Sequence, residues 1–166
     1  MDKLISDNAQ VETSGKAKDI FRAYVIGNWH SEPHQQQQNY AERKYQHVKN
    51  TTNRMMERSG SPAYTWILAL IYVCFVLNHT ASAVLSWRTP LERLTGTTPD
   101  ISPLLRFYWW QPVYYKLDDS YFPSDTREKR GRFVGIAKHV GHSVTYKMLT
   151  YDTKKVIHRS NVCPAD

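Results

Sequence analysis

Residues 34–50, "HQQQQNYAERKYQHVKN", decide how the rest of the chain is read. Four glutamines open the stretch, and after them the spacing becomes helical. Ala41, Tyr45, Val48, Thr52 and Met55 recur every three or four residues, so a helix over 39–58 is expected to bury one seam. Gly60-Ser61-Pro62 breaks it. Glu42 is the one carboxylate at its start, followed by Arg43, Lys44 and Lys49. Upstream, "LISDNA" over 4–9 reads as a strand that stops at Asp7. Both are places where a carboxylate can point into a shared site. Two facing carboxylates repel unless a cation lies between them. Mg²⁺ takes few carboxylates and keeps waters for substrate phosphates. A pair of such ions can activate the attacking oxygen and stabilise the leaving oxygen of a phosphodiester. Lys49, two turns after Glu42, shares its face and is a candidate phosphate contact. The plainer alternative makes Asp7 a turn residue and Glu42 a solvated charge at a helix start. Spacing alone does not choose between them.

After Pro62, residues 63–77, "AYTWILALIYVCFVL", are uncharged and mostly apolar. A membrane span wants about 20 such residues. The shorter run is expected to be a core helix, apolar on all sides because protein surrounds it, and paired with the preceding helix in a hairpin. Before the glutamines, residues 16–26 read as a helix with Ile20, Phe21, Tyr24 and Val25 on one stripe and Gly27 as its stop. A short strand is expected within 28–33. Residues 89–96, "TPLERLTG", read as a short helix with Thr89 as N-cap, Pro90 at the first position and Gly96 as stop. Beyond Pro103 the chain turns aromatic and β-prone, beginning with "RFYWWQPVYYKL". Strands near 132–137, 144–150 and 155–159 suggest a small antiparallel sheet or barrel.

Charge separates the halves. The chain of 166 residues carries a net +7. Residues 127–159, with nine basic and two acidic side chains, account for all of it. That region is the electrostatic handle and favours a polyanionic partner. Two cysteines, Cys74 and Cys163, fit neither a disulfide framework nor a zinc signature, and a reducing compartment is expected. The N-terminus lacks an apolar signal-peptide core.

Taken together, "SDNA" followed by "HQQQQNYAERK" resembles the integrase of Ty1/copia-type retrotransposons. There, Ser-Asp-Asn-Gly ends a strand, and a Pro-Gln-Gln-Asn-Gly…Ala-Glu-Arg stretch opens the catalytic helix. The likeness continues in order. "RSGSPAYTWILALIYVCFVLNHT" resembles the family's helix pair, and "TPLERLTGTTPDISPLLRF" its Thr-Pro-x-Glu…Gly…Pro segment. "KRGRFVGIAKHVGHSVTYKMLTYDTKKVIHRSNV" resembles the SH3-like module that follows the core. The wording is closest to copia-like elements of diatoms. The resemblance implies an α/β fold: a truncated, helix-rich RNase H-like integrase core over 1–85, a short helix and linker over 86–103, and a basic all-β SH3-like module over 104–166. It implies that Asp7 and Glu42 are the second and third acids of a catalytic D,D-E triad and ligands of Mg²⁺ or Mn²⁺. It implies DNA, both element ends and target, as partner, with Asn39, Arg43, Lys44, Gln46 and Lys49 beside the third acid as candidate contacts. Lys129, Arg130, Arg132, Lys154 and Lys155 are the candidates in the basic module. A homo-oligomer, no membrane, and a location in the nucleus or cytoplasm without secretion follow from the same likeness.

The sequence also departs from the family. The first acid lies well upstream of Ser-Asp-Asn in the family, whereas Met1 stands six residues before Asp7. On a strand, Lys3, Ile5 and Asp7 share a face, so Asp2 is a poor substitute. Only two of that fold's five strands fit the sequence before Glu42. Tyr40 stands where the family has a turn glycine, Ala9 replaces another, and Gln46 holds the place of a DNA-contacting lysine of retroviral integrases. The zinc-binding His/Cys region is also lacking. A fragment without strand transfer is therefore expected, with a purely nucleic-acid-binding module as the alternative.

Overall fold

The computed structural model describes residues 3–6, 14–30, 40–117, 127–138, 140 and 144–165, without the side chains of 3–6 and 28–30. It divides into two compact units, Met1–Lys49 and Asn50–Asp166.

In the first unit, strands β1 (Lys3–Ser6) and β2 (Gly27–His30) pair in parallel, Lys3 opposite Gly27 and Ser6 opposite His30. A parallel pair needs a crossover, and α1 (Gly15–Ala23) lies within it. The sequence places the end of α1 at Ile26 with Gly27 as its stop, but the helix closes earlier. Val25 N–H donates to Arg22 O at 3.2 Å and Ile26 N–H to Phe21 O at 2.9 Å. That is the Schellman pattern, with Val25 (φ 52°) in the left-handed position glycine usually takes. Closing there splits the expected apolar stripe, and no residue of α1 is buried. Asp7 and residues 31–39, Asn39 among them, lie outside the described residues.

Helix α2 (Tyr40–Ser59) follows, matching the expected span. Its buried seam is shorter than the periodicity suggests. Thr52 and Met56 are buried and Met55 partly so, while Ala41 and Tyr45 are exposed. It ends with the same motif as α1, here with a glycine: Gly60 (φ 63°) donates to Glu57 O and Ser61 N–H to Met56 O.

In the second unit, a 3-10 turn over Ala63–Thr65 leads into α3 (Trp66–Asn78). Trp66 Nε1–H donates to Asn53 Oδ1 at 3.0 Å and clamps the helical hairpin. The expectation that α3 is enclosed on all sides is not met. Ala69, Tyr72 and Val73 are buried, but Ile67 is 59% and Ile71 54% exposed, and Cys74 is exposed as well. The short α4 (Pro90–Thr95) is capped as its sequence dictates. Thr89 Oγ1 accepts from Glu92 N–H at 3.0 Å, and Gly96 takes the left-handed position after the last turn.

The rest is one five-stranded antiparallel sheet in the order β6-β5-β4-β3-β7, from β3 (Pro112–Lys116), β4 (Glu128–Ala137), β5 (Thr145–Thr150), β6 (Val156–Arg159) and β7 (Val162–Pro164). Only Ser160 and Asn161 separate β6 from β7, a reach of about 11 Å at most from Arg159 to Val162. The two strands nevertheless stand on opposite edges, so the sheet curls until its edges approach, as in a small barrel. Phe133, Met148, Val113 and Val162 fill its interior. A bulge between Phe133 and Gly135 breaks the β4–β5 register, and there Gly135 adopts φ 142°, a conformation that disfavours any side chain. Tyr72 of α3 lies against this bulge and meets Phe133 edge-on at 5.8 Å. The core of this unit thus joins the hairpin to the sheet.

Candidate nucleic-acid interface

The acidic pair is only half described. Glu42 occupies the first turn of α2, where the positive end of the helix dipole favours a carboxylate. Arg43 and Lys44 each stand 5.8 Å from the ring centre of Tyr40. Gln46 and Lys49, exposed and at helical spacing from Glu42, share its side of α2. Among the described residues, no three His, Cys, Asp or Glu side chains stand close enough to hold a metal together. Of the expected metal pair, Glu42 is the one acid among the described residues. No described helix is long and apolar enough to cross a membrane.

The basic β region builds a more complete arrangement. Along β4, Gly131 and Phe133 turn inward: a Cβ on Gly131 would lie 3.0 Å from Leu149 O and 3.4 Å from the Tyr115 ring. Strand alternation therefore sends Arg130 and Arg132 outward, beside Tyr114 and Pro112 of β3. The Arg130 guanidinium lies 5.3 Å from the ring centre of Tyr114. Arg132 lies 5.6 Å from both Trp110 and Tyr151, and its Nη1 donates to Trp110 O at 3.1 Å. Lys154 Nζ is 5.6 Å from the same Tyr151 ring. The result is a row, Trp110–Arg132–Tyr151–Lys154, in which cations and aromatic rings alternate. Each such contact contributes about 0.5–1 kcal/mol at an exposed site and restrains a side chain that would otherwise sample many rotamers.

Two backbone features hold the row. Trp110 sits at φ 66°, half-buried against the core with its ring centre 6.4 Å from that of the buried Trp109. The β5–β6 turn closes through Thr150 N–H to Lys155 O (3.0 Å) and Lys155 N–H to Thr150 Oγ1 (3.2 Å), with Lys154 at φ 53°. Lys155 thus contributes its backbone to the turn and leaves its side chain exposed. Lys129 is of a different kind. Its Nζ lies 3.0 Å from Asp152 Oδ2, and that hydrogen bond, with the carboxylate's charge, raises its pKa. Its charge is already matched, which weakens it as a phosphate contact. Sequence reading found the cations and named the aromatic character of the region. It did not single out Trp110, Tyr114 or Tyr151, because the pairing depends on register and on the left-handed residue at 110.

Comparison with known proteins follows the motifs. No family model matches the chain. It is 28% identical over 108 residues, 61% of its length, to the retrovirus-related Pol polyprotein from transposon RE1 of Arabidopsis thaliana. It is 25% identical over 109 residues to the corresponding polyprotein from transposon RE2. The chain spans 7% and 8% of those relatives' lengths. Among solved structures, a chain from the cryoEM structure of the simian T-cell lymphotropic virus intasome in complex with PP2A regulatory subunit B56 gamma aligns over 99% of this chain and 58% of its own, at 14% identity and a TM-score of 0.41. This chain is thus a homologue of a short stretch of retrovirus-related Pol polyproteins of Ty1/copia-type transposons. Both relatives come from a plant and do not bear on the diatom likeness.

Proposed function

We propose that this chain is an integrase-related segment of a retrotransposon polyprotein, and that it binds DNA through the outer face of β3–β4 and the β5–β6 turn. The observation that carries the reading is the Trp110–Arg132–Tyr151–Lys154 row. Alternating cations and rings on one face suit phosphates for affinity and bases or sugars for flat contact. The position of the net charge in the same region supports it. Arg43, Lys44, Gln46 and Lys49 on α2 are proposed as further DNA contacts, and Asp7 with Glu42 as remnants of a site for Mg²⁺ or Mn²⁺. Residues 1–166 supply two of the three acids that the integrase resemblance requires, so this polypeptide alone is expected not to transfer strands.

Fluorescence anisotropy with labelled duplex DNA tests the binding face. Arg132→Gln should weaken binding about tenfold or more, the loss of a charge-assisted contact. Arg93→Gln on α4, an equal change in net charge away from the row, should leave affinity within about twofold, as expected for screened long-range charge. Equal effects of the two substitutions would show that net charge, and not this face, carries the binding.

A further inference from the structure

We propose that this chain pairs with a second copy of itself, with Trp87 of each copy entering an apolar groove on the other. The prong is the loop over residues 82–88, which closes on itself through backbone hydrogen bonds. Ser82 N–H donates to Arg88 O at 3.1 Å, and the N–H groups of Leu85 and Trp87 both donate to Ser82 O at 3.0 Å. Ser86 N–H donates to Ala83 O and Arg88 N–H to Leu85 O, each at 3.1 Å. Ser86 (φ 55°) and Trp87 (φ 64°) stand side by side in the left-handed region, where a side chain is disfavoured. Backbone held in so unfavourable a form points to a use for what it displays. It displays an indole: Trp87 is 77% exposed and Val84 beside it 87%. Among the described residues, none stacks on that indole or hydrogen-bonds to it.

The groove lies in the same unit, between α2, α3 and the segment that precedes β3. It has a volume of about 640 Å³, and its walls include Met55, Tyr72, Val76, Leu104 and Phe107. Leu105 also lines it and is 79% exposed. The groove's cation and its amide are committed to the wall itself. Arg106 Nη2 donates to Val162 O at 3.1 Å, and Gln111 Oε1 accepts from Tyr108 N–H at 3.1 Å. What remains suits an apolar occupant with the bulk of an indole. Charge says which occupant. Residues 82–100 carry Arg88 and Arg93 against Glu92 and Asp100, a neutral stretch in a chain of net +7. It can meet another copy without the repulsion that the basic module would bring, whereas a polyanion is drawn to that module instead. A tryptophan covers about 150–250 Å², well under the roughly 1,200 Å² of a stable interface. The contact is therefore weak, and its population rises with concentration. In a reciprocal pair each copy gives one prong and receives one.

Sedimentation equilibrium of residues 1–166 over a concentration series tests the proposal. The wild-type chain should move from monomer toward dimer as its concentration rises. Trp87→Gly, which suits the left-handed backbone and so preserves the fold, should weaken association about tenfold or more, as the loss of an anchoring tryptophan does. Leu105→Glu, at an exposed position of the groove, should do the same from the other side. An equal mixture of these two variants should recover part of the association, because Trp87 of one still meets an intact groove on the other. Ile67→Ser, which removes an exposed apolar side chain of α3 that does not line the groove, should change nothing. A wild-type chain that stays monomeric at millimolar concentration would overturn the proposal, as would dissociation by Ile67→Ser and not by Trp87→Gly. Two dissociated variants that fail to associate when mixed would overturn it as well, since the contact would then join like to like. Association is measured without DNA, so this inference and the DNA-binding reading can each fail without the other.

Discussion

Trp109 donates its indole Nε1–H to Ser61 Oγ at 3.1 Å, tying the sheet to the turn of the helical hairpin. The same ring stacks on Tyr72 at 5.5 Å. The next residue, Trp110, in the left-handed region, keeps company with Arg132. One backbone conformation gives adjacent tryptophans different roles.

Trp109→Ala should therefore cost about 3–5 kcal/mol in urea unfolding, the usual loss for a buried large aromatic. Trp110→Ala should cost less stability yet weaken DNA binding. If Trp110→Ala proved the more destabilising of the two, the division of roles would be wrong.

Lys154 separates conformation from charge. At φ 53° a glycine relieves left-handed strain worth about 1–2 kcal/mol, less the entropy glycine adds to the unfolded chain. Lys154→Gly should raise the unfolding midpoint while weakening DNA binding. Loss of both together would mean that the side chain, and not the backbone, sets the turn.

The helices from Tyr40 onward, the Thr89 cap and the three expected strands were legible because periodicity, glycine and proline placement and capping chemistry are local signals. Two features were not. The early end of α1 depends on Val25 entering a conformation that a β-branched residue rarely takes, which no propensity signals. Strand β7 is three residues long and exists only because barrel closure brings it to β3, with Val113 opposite Pro164. In the candidate site, the cations were visible in the sequence. Their aromatic partners were not, because Arg132 meets Trp110 and Tyr151 only through the pairing of strands far apart in the chain. The ion pair that occupies Lys129 was hidden for the same reason.

Stability should fall as pH rises through about 10. Burial raises the pKa of Tyr72 above its ordinary 10.0, and the Asp152 hydrogen bond and charge raise that of Lys129 above 10.5. In both cases the unfolded chain releases its proton first. The stabilisation is fully present below the unfolded pKa and is lost as pH passes through the folded one. Tyr72→Phe and Asp152→Asn should each make the alkaline decline in unfolding free energy shallower. A decline unchanged in both variants would remove these groups as its source.

With labelled duplex DNA and either Mg²⁺ or Mn²⁺, residues 1–166 should neither nick nor join strands. Two of three acids leave metal ligation incomplete, and loss of one carboxylate ligand removes the shared hold on the ions that this chemistry needs. Metal-dependent joining that Glu42→Gln abolishes would contradict this and show that the polypeptide completes its site with another acid.

The central claim is that the β3–β4 face and its neighbouring turn bind DNA through phosphates. The most direct test is the salt dependence of duplex affinity for the wild-type chain and for the triple variant Arg130→Gln, Arg132→Gln, Lys154→Gln. Each phosphate contact contributes about 0.9 to the slope of log K against log salt. The triple variant should therefore show a slope shallower by about 2–3 and a weaker affinity at low salt. An unchanged slope and affinity would place DNA binding elsewhere on the chain.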